Sequence, residues 1–202
     1  MSLTDLQLDA LKETTSIGAG NAATALSKLA KRTITMTVPR ANLSPLSVVR
    51  TSVPKDKNGS VLVRLSILGP LPGTILIGFD HASALILADL LLERKAGQTT
   101  QLGEFEVSAL QEAANILSGS YLTALSTFLD VSMRNSVPFL AIDEDGHVVT
   151  GIFEELGSAD EQTLVIHSTL HERDRSLQVT MFLKPQPEAL AQILKALKVD
   201  RQ

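Results

Sequence analysis

The 202-residue chain contains no cysteine and no tryptophan, and it has only one tyrosine. The absence of cysteine excludes disulfides, thiolate metal ligands and a cysteine nucleophile. With aromatic residues at 3%, the chain offers no platform for stacking single-stranded bases, and its core must be built from Leu, Ile, Val and Ala. The formal net charge of −4 has the wrong sign for a protein that binds a phosphate backbone.

The chain also lacks a long apolar run. Its longest nearly uncharged stretch, residues 82–92, is interrupted by Asp89 and is too short to span a bilayer. Residues 1–9 have neither the basic nor the apolar region of a secretory signal. We therefore expect a cytoplasmic protein. A hydrophobic fraction of 44% argues against disorder and allows a substantial core.

What the chain does contain is one polar pattern that occurs twice, 99 residues apart. In the second half, the pattern S-x3-E-x2-N-x22-P is formed by Ser108, Glu112, Asn115 and Pro138. In the first half, the same spacing is kept by Asp9, Glu13, Ser16 and Pro39. The sequence Thr-Ala-Leu-Ser at residues 24–27 recurs in register at residues 123–126. The repeat indicates a duplicated site, whose first copy has serine in place of asparagine.

Each half begins with a segment that predicts a long helix. Thr4 and Gln7 have the spacing of a capping box, and a mostly helical apolar period follows to Leu29. The small residues 18–23 include two glycines, each costing about 1 kcal/mol in a helix interior, so we expect a close neighbour there. The equivalent helix covers about residues 102–129, with acidic residues in its first turn. We expect the two helices to meet at their small residues, related by a pseudo-twofold axis.

Strand-like segments and a closing helix follow each long helix. In the first half we predict strands at residues 33–38, 60–68 and 74–79 and a helix at 82–94. In the second half we predict strands at residues 131–137, 147–154, 163–169 and 177–183 and a helix at 187–198. We predict an α+β fold forming a single domain of two repeats, about residues 1–98 and 99–202, with the joint at 97–101. In this fold, antiparallel sheets pack with the two long motif-bearing helices.

The strongest candidate site is the polar face of the second long helix. Ser108, Glu112 and Asn115 share one face of this helix, while apolar neighbours supply its buried side. A solvated surface is the ordinary explanation for an isolated E-x-x-N. Asparagine is a poor helix former, however, and the spacing to proline recurs in the other half, which favours a site. For Pro39 and Pro138, the end of a strand at a sheet edge is a sufficient explanation.

Other motifs give weak or negative signals. Residues 18–23 fit a loose G-x-G-x-x-G/A, but a dinucleotide fingerprint requires a preceding strand, and here a helix precedes. His167 and His171 lie near a strand end without an obvious third ligand. There is no G-x-S-x-G elbow and no phosphate-binding P-loop. We therefore expect no metal site and no cofactor of the chain's own.

On these residues the chain resembles the CheC-like phosphatases, the family that includes CheC, CheX and FliY, and most of all the CheC type. That type carries the pattern D/S-x3-E-x2-N-x22-P twice. The second copy here matches it fully, whereas the first departs from it at Ser16. Residues 17–27 also resemble the family's first helix. The resemblance covers essentially the whole chain and implies the CheC-like fold.

The resemblance implies a chemotaxis enzyme of two-component signalling that hydrolyses the aspartyl phosphate of a CheY-type response regulator. An acyl phosphate is already activated, so positioning a water and charge is sufficient. We expect Asn115 to position the water, because an amide both donates and accepts, and Glu112 to anchor the partner. Ser108 supports them. Mg²⁺ is expected on the response regulator.

The first copy is expected to be weakened or inactive, because the Ser16 hydroxyl lies closer to the backbone than an amide nitrogen would. Asp9 and Glu13 still offer a docking surface. If only the amide is missing, Ser16→Asn alone should restore this copy.

Two alternatives to the phosphatase remain open. The resemblance also implies CheD, the receptor deamidase, as a partner, so one alternative is a non-catalytic or weakly catalytic module that regulates CheD. The other is a structural part of the flagellar switch, which is less favoured because we expect no appended assembly domain. We expect a monomer, since the duplication supplies the pseudo-symmetry internally. We expect no nucleic-acid or membrane partner.

Overall fold

The computed structural model describes residues 4–196, and the two halves repeat the same order of elements. The first half contains α1 (Asp5–Ala30), β1 (Thr35–Pro45), α2 (Leu46–Thr51), β2 (Ser60–Leu68), β3 (Gly73–Asp80) and α3 (His81–Leu91). The second half contains α4 (Glu104–Leu129), β4 (Arg134–Asn135), β5 (Phe139–Asp143), α5 (His147–Glu155), β6 (Gln162–Glu172), β7 (Arg175–Pro185) and α6 (Pro187–Ala196). The short strands β4 and β5 together take the place of β1.

Strands from both halves are interleaved in one seven-stranded antiparallel sheet. Its order is β1-β6-β7-β3-β2-β4, with β5 also paired to β2. The central strands β3 and β7 place Ile77 opposite Met181. When the two halves are exchanged, β1 paired with β6 corresponds to β4 and β5 paired with β2. The pseudo-twofold axis therefore passes between β3 and β7. The predicted α+β fold is confirmed, with one continuous sheet.

Helices cover both faces of this sheet. On one face, α1, α3 and α4 pack over inward-facing strand residues such as Val63 and Ile77. On the other face, α2 and α5 place Val49 and Phe153 over Phe182, whose ring meets that of Phe153 edge to face at 6.0 Å. The long helices α1 and α4 therefore bury one side and expose the side that carries the repeated pattern. Within residues 4–196, no helix has the length and apolar character needed to cross a membrane.

The two long helices approach closely at Gly18, as the small residues of α1 predict. A Cβ atom at this position would lie 2.9 Å from Cδ1 and 3.1 Å from Cα of Tyr121 on α4. Gly20 has nothing within 4 Å of such a Cβ, so close packing explains only one of the two glycines. The α4 residue at the Gly18 contact is the large Tyr121, not a residue of the small patch, whose Gly119 has Asn135 of β4 as its near neighbour at 3.6 Å. The expected meeting of small residues from both helices is therefore wrong for α4 at Gly18.

The repeated Thr-Ala-Leu-Ser sequence fixes how the chain leaves each long helix. The Ser27 hydroxyl oxygen accepts a hydrogen bond from the Ile34 amide at 2.9 Å, and Ser126 accepts one from Met133 at 3.2 Å. Each helix ends on a left-handed residue, Lys31 in α1 and its counterpart in α4. The chain therefore turns back in the same way in both halves, and the next strand lies beside the helix it follows.

The joint between the halves is tied to α3 by a buried carboxylate. Asp89 is fully buried, and its oxygens accept hydrogen bonds from the amides of Gly97 and Gln98 at 2.8 and 2.9 Å and from the Thr99 hydroxyl at 2.6 Å. Arg94 donates to the same hydroxyl at 2.9 Å and also pairs with a glutamate in the first turn of α4. The joint therefore sets where α4 begins relative to α3. The division into two repeats at about residue 98 stays a prediction.

The predicted strand at residues 147–154 is wrong, because this segment forms helix α5. Val149 and Phe153 lie four residues apart and are both buried against the outer face of the sheet. The Asp143 carboxylate accepts hydrogen bonds from the amides of Gly146 and Val149, at 2.8 and 2.9 Å, at the start of the helix. The β-branched residues favour a strand locally, but the cap and the apolar packing override that preference.

Other boundaries also differ from those predicted. The predicted strand 131–137 is reduced to β4, β5 was not predicted, and neither was α2. β1 does not end before Pro39 but continues through a register shift between Thr37 and Arg40. A shift of this kind accommodates a residue that has no N–H to donate. The predicted strands at 60–68, 74–79, 163–169 and 177–183 are confirmed within a few residues, and so are the closing helices. Residues 197 and 198 of the last predicted helix lie outside the described residues.

Candidate functional site

The second-half ridge lies on the exposed side of α4. Ser108, Glu112 and Asn115 are all exposed there, spaced one turn apart along the helix. The opposite side is buried in the main core through Leu110, Ala113, Ala114 and Leu117. The apolar spacing of α4 thus orients the three polar side chains outward together, as the sequence predicts.

A second wall faces this ridge and makes it a cleft of about 430 Å³. The cleft is lined by Ser108, Gln111, Glu112, Asn115, Asn135, Ser136, Val137 and Pro138. Pro138, which the sequence places 23 positions after Asn115, is therefore brought back beside the ridge. The whole second copy of the pattern lies in one place.

Two side-chain hydrogen bonds join the walls of the cleft. The Nδ2 atom of Asn135 donates to Oδ1 of Asn115 at 2.7 Å. One turn earlier on α4, Nε2 of Gln111 donates to the carbonyl oxygen of Pro138 at 3.1 Å. The segment from β4 to β5 is therefore attached to α4 at two points.

The cleft presents one free carboxylate and one free amide nitrogen. Within residues 4–196, Glu112 has no ion-pair partner, and Nδ2 of Asn115 has no hydrogen-bond acceptor. The carboxylate is suited to pair with a cation, and the amide nitrogen to donate to an oxygen. In the same range, no three His, Asp or Glu side chains are grouped in a way that could hold a metal ion.

The first copy of the pattern has a similar placement but different contacts. Asp9, Glu13 and Ser16 are exposed along α1, and the Ser16 hydroxyl has no hydrogen bond to any residue between 4 and 196. Pro39 lies on β1, and its side chain is outside the described part of the structure. Met36 occupies the place of Asn135, since the two residues lie opposite equivalent positions of β6 and β2.

Asn135 and Gln111 are contacts that the sequence analysis missed. Both lie where the two halves differ, with Met36 and Lys12 at the equivalent positions. The residues shared by the two halves therefore do not include them. The signal that could have found them is a polar amide residue that is present only in the half with asparagine at the third position of the pattern.

Beside the cleft, the first turn of α4 is fixed by a charged pair. Glu106 is largely buried and pairs with Arg94, while its other oxygen accepts the Gly103 amide at 2.9 Å. The hydrogen bond from the Arg94 guanidinium, aided by the backbone amides, holds the pKa of the Glu106 carboxyl below its ordinary value. The start of α4, from which the ridge projects, is thereby anchored.

Comparison with known proteins gives consistent matches. The model of the CheC-like family matches residues 6–43 and 105–142, which are the two segments that carry the repeated pattern. The chain is 30% identical over 200 residues to the CheY-P phosphatase CheC of Bacillus subtilis, covering 95% of this chain and 93% of that protein. It is 31% identical over 137 residues to the flagellar motor switch phosphatase FliY of the same organism, covering 67% of this chain but only 35% of FliY.

The fold comparison agrees with these matches. The crystal structure of Thermotoga maritima FliY superposes with a TM-score of 0.79 at 22% identity, covering 98% of both chains. A duplicated ridge, a sheet shared between the halves and identity along nearly the whole length of a CheC lead to one assignment. The chain belongs to the CheC-like family.

Proposed function

We propose that this protein is a chemotaxis phosphatase that hydrolyses the aspartyl phosphate of a CheY-type response regulator, mainly through the cleft on α4. Family membership and the activity of the Bacillus subtilis CheC relative support the reaction class. The single observation that supports this site is the cleft itself, which presents Glu112 and Asn115 together on one exposed helix face. An exposed ridge of this kind is suited to enter the active site of another protein.

The reaction requires little covalent chemistry from the phosphatase. Water attacks the phosphorus atom, the bond from phosphorus to the aspartyl oxygen breaks, and inorganic phosphate leaves behind a free aspartate. Because the acyl phosphate is already activated, a catalyst gains most by holding the water in line with the leaving carboxylate. Asn115 has a free amide nitrogen that can donate to the water oxygen and leave a lone pair directed at phosphorus.

Glu112 has a different role in this proposal. Its carboxylate is exposed one turn before Asn115 and has no ion-pair partner within the described range 4–196. A lysine near the partner's phosphorylated aspartate would pair with it and fix the docking register. Ser108 and Pro138 line the same cleft. The Mg²⁺ that accompanies the phosphoryl group would be held by the response regulator.

The test is phosphate release from a phosphorylated CheY-type protein, measured for the wild type and for Asn115→Ala. By analogy with the loss of one preorganised hydrogen-bond donor, we expect a drop on the order of 10²-fold. A matched control is Asn21→Ala, which removes an exposed asparagine from the other long helix, outside the pattern. A rate for Asn115→Ala that equals that of the control would remove Asn115 from the mechanism.

A second candidate function is regulation of CheD by binding. The observation that favours it is the first ridge, where Asp9 and Glu13 remain exposed but the amide is replaced by Ser16. Such a surface is able to dock a protein without hydrolysing anything. Tight association of purified CheD, with no effect on phosphorylated CheY, would establish this function and exclude the phosphatase. The expected monomer can be checked by light scattering on the same samples.

A further inference from the structure

We propose that Asn135 is a positioning residue, which holds the Asn115 amide with its nitrogen directed into the cleft. The working unit of the site is then a pair of asparagines on two different elements. The effect of Asn135 on catalysis rests on the proposed function. The orientation itself is a structural statement that can be tested without activity.

The orientation follows from the acceptors around Asn135. Its Nδ2 atom donates to Oδ1 of Asn115 at 2.7 Å and to the carbonyl oxygen of Ser136 at 3.2 Å. A carbonyl oxygen only accepts, so the atom of Asn135 that faces it must be the nitrogen. Asn115 must then present its oxygen to Asn135. Turning the Asn115 amide over would place two N–H donors against each other.

Asn135 can impose this orientation because its backbone is fixed. It lies on β4 opposite Ile67 of β2. The next residue, Ser136, is bonded twice to Ser66: its amide donates to the Ser66 carbonyl at 2.9 Å, and its hydroxyl oxygen accepts the Ser66 amide at 2.9 Å. Gly119, one turn beyond Asn115 on α4, lies beside the Asn135 side chain, whose oxygen would be in ordinary van der Waals contact, at 3.6 Å, with a Cβ there. Asn115, by contrast, is on an exposed helix face, so its side-chain amide is held in one orientation by the hydrogen bond from Asn135.

The altered first half lacks both members of the pair. Met36 lies opposite Leu170 of β6, as Asn135 lies opposite Ile67 of β2, so the two residues occupy equivalent places. Met36 is partly buried against the main core, and a thioether cannot donate a hydrogen bond. The half with serine in the catalytic position therefore also lacks the donor that would orient an amide there. If the two asparagines act together, one explanation covers both Ser16 in place of Asn115 and Met36 in place of Asn135.

The test uses two near-isosteric variants of Asn135. Asn135→Leu removes the donor and leaves the Asn115 amide free to rotate. Asn135→Asp replaces the donor by an acceptor, so Nδ2 of Asn115 turns toward the carboxylate and away from the cleft. We expect each to lower kcat for phosphate release by about 10-fold or more, because the water is then misplaced, with KM for the response regulator little changed. Val137→Asp, at a cleft position that is 87% exposed, is the matched control for added charge and should change KM instead.

The second readout is the side-chain amide of Asn115, followed by NMR in the purified, unphosphorylated protein. The proposal predicts distinct shifts of its two amide protons in Asn135→Leu and in Asn135→Asp, while urea unfolding shows that both variants remain folded. A kcat for Asn135→Leu within twofold of the wild type, with Asn115→Ala impaired, would overturn the positioning role alone. If the wild type releases no phosphate, the proposed function is wrong, and unchanged Asn115 amide signals in both variants would then overturn the orientation as well.

Discussion

The amide nitrogen of Asn135 lies 2.7 Å from the side-chain oxygen of Asn115 and joins strand β4 to the middle of helix α4. These residues are 20 positions apart in sequence, and the contact between them joins the two walls of the cleft. In the first half, the equivalent positions are Met36 and Ser16, which cannot make this bond. The halves therefore differ in this contact at two positions.

Restoring the first copy should require both asparagines. In an Asn115→Ala background, we expect Ser16→Asn alone to recover little phosphate release, since nothing at Met36 orients the new amide. Adding Met36→Asn should raise the rate severalfold further. This replaces the expectation from the sequence alone, in which Ser16→Asn is sufficient. The rates are compared in the phosphate-release assay.

Met36→Asn in the same background serves as the control, because it supplies the orienting amide without the catalytic one. A single Ser16→Asn variant that recovers as much activity as the double variant would show that Met36 is irrelevant. Since Met36 is partly buried, each variant should first be confirmed as folded by urea unfolding.

Reversing the charge of Glu112 should weaken docking more than chemistry. We expect Glu112→Lys to raise KM for the phosphorylated response regulator by about 3- to 10-fold, as for the loss and repulsion of one exposed charge pair at an interface. The matched control is Glu104→Lys, which changes another exposed glutamate in the first turn of the same helix but outside the cleft. If kcat falls and KM does not, Glu112 acts on the reaction itself and the anchoring role is wrong.

The glycines of α1 should respond in opposite ways to the same substitution. Gly18→Ala places a methyl group 2.9 Å from the Tyr121 ring, and such overpacking costs about 1–3 kcal/mol. Gly20→Ala meets nothing within 4 Å and should gain up to about 1 kcal/mol from helix propensity. Urea unfolding measures both free energies. Equal effects of the two substitutions would show that the helices separate at Gly18 at little cost.

The Glu106–Arg94 pair should make stability depend on acid pH. The folded protein holds the pKa of Glu106 below the ordinary value of 4.5, so the pair stabilises the fold fully above that pH. This contribution is lost as the pH falls through the lower, folded pKa. We expect Glu106→Gln to lower the free energy of unfolding near neutral pH and to differ less from the wild type in acid. A difference that stays constant down to acid pH would mean that the charge of Glu106 contributes nothing.

The sequence predicted the parts of the site that lie on one element. Helical periodicity is enough to place Ser108, Glu112 and Asn115 on a common outward face, because their spacing alone fixes it. The sequence also predicted a close approach within residues 18–23, which the structure places at Gly18 and not at Gly20. The sequence did not give Asn135, whose role depends on the return path of the chain, set by the Ser126 contact and by pairing with β2. Helix α5 was missed for a similar reason, because Phe182 and Asp143 stabilise it from distant parts of the chain.

The interleaving of strands from the two halves has a consequence for how mutations act on the two sites. In a symmetric dimer of identical units, every substitution appears at both sites at once. Here β1 pairs with β6 and β5 with β2, so each half completes the sheet of the other within one covalent chain. A mutation can therefore alter one site and leave its twin unchanged. Because the two halves share one scaffold, Ser16 and Met36 can differ from Asn115 and Asn135 while both helices and both strands keep their places.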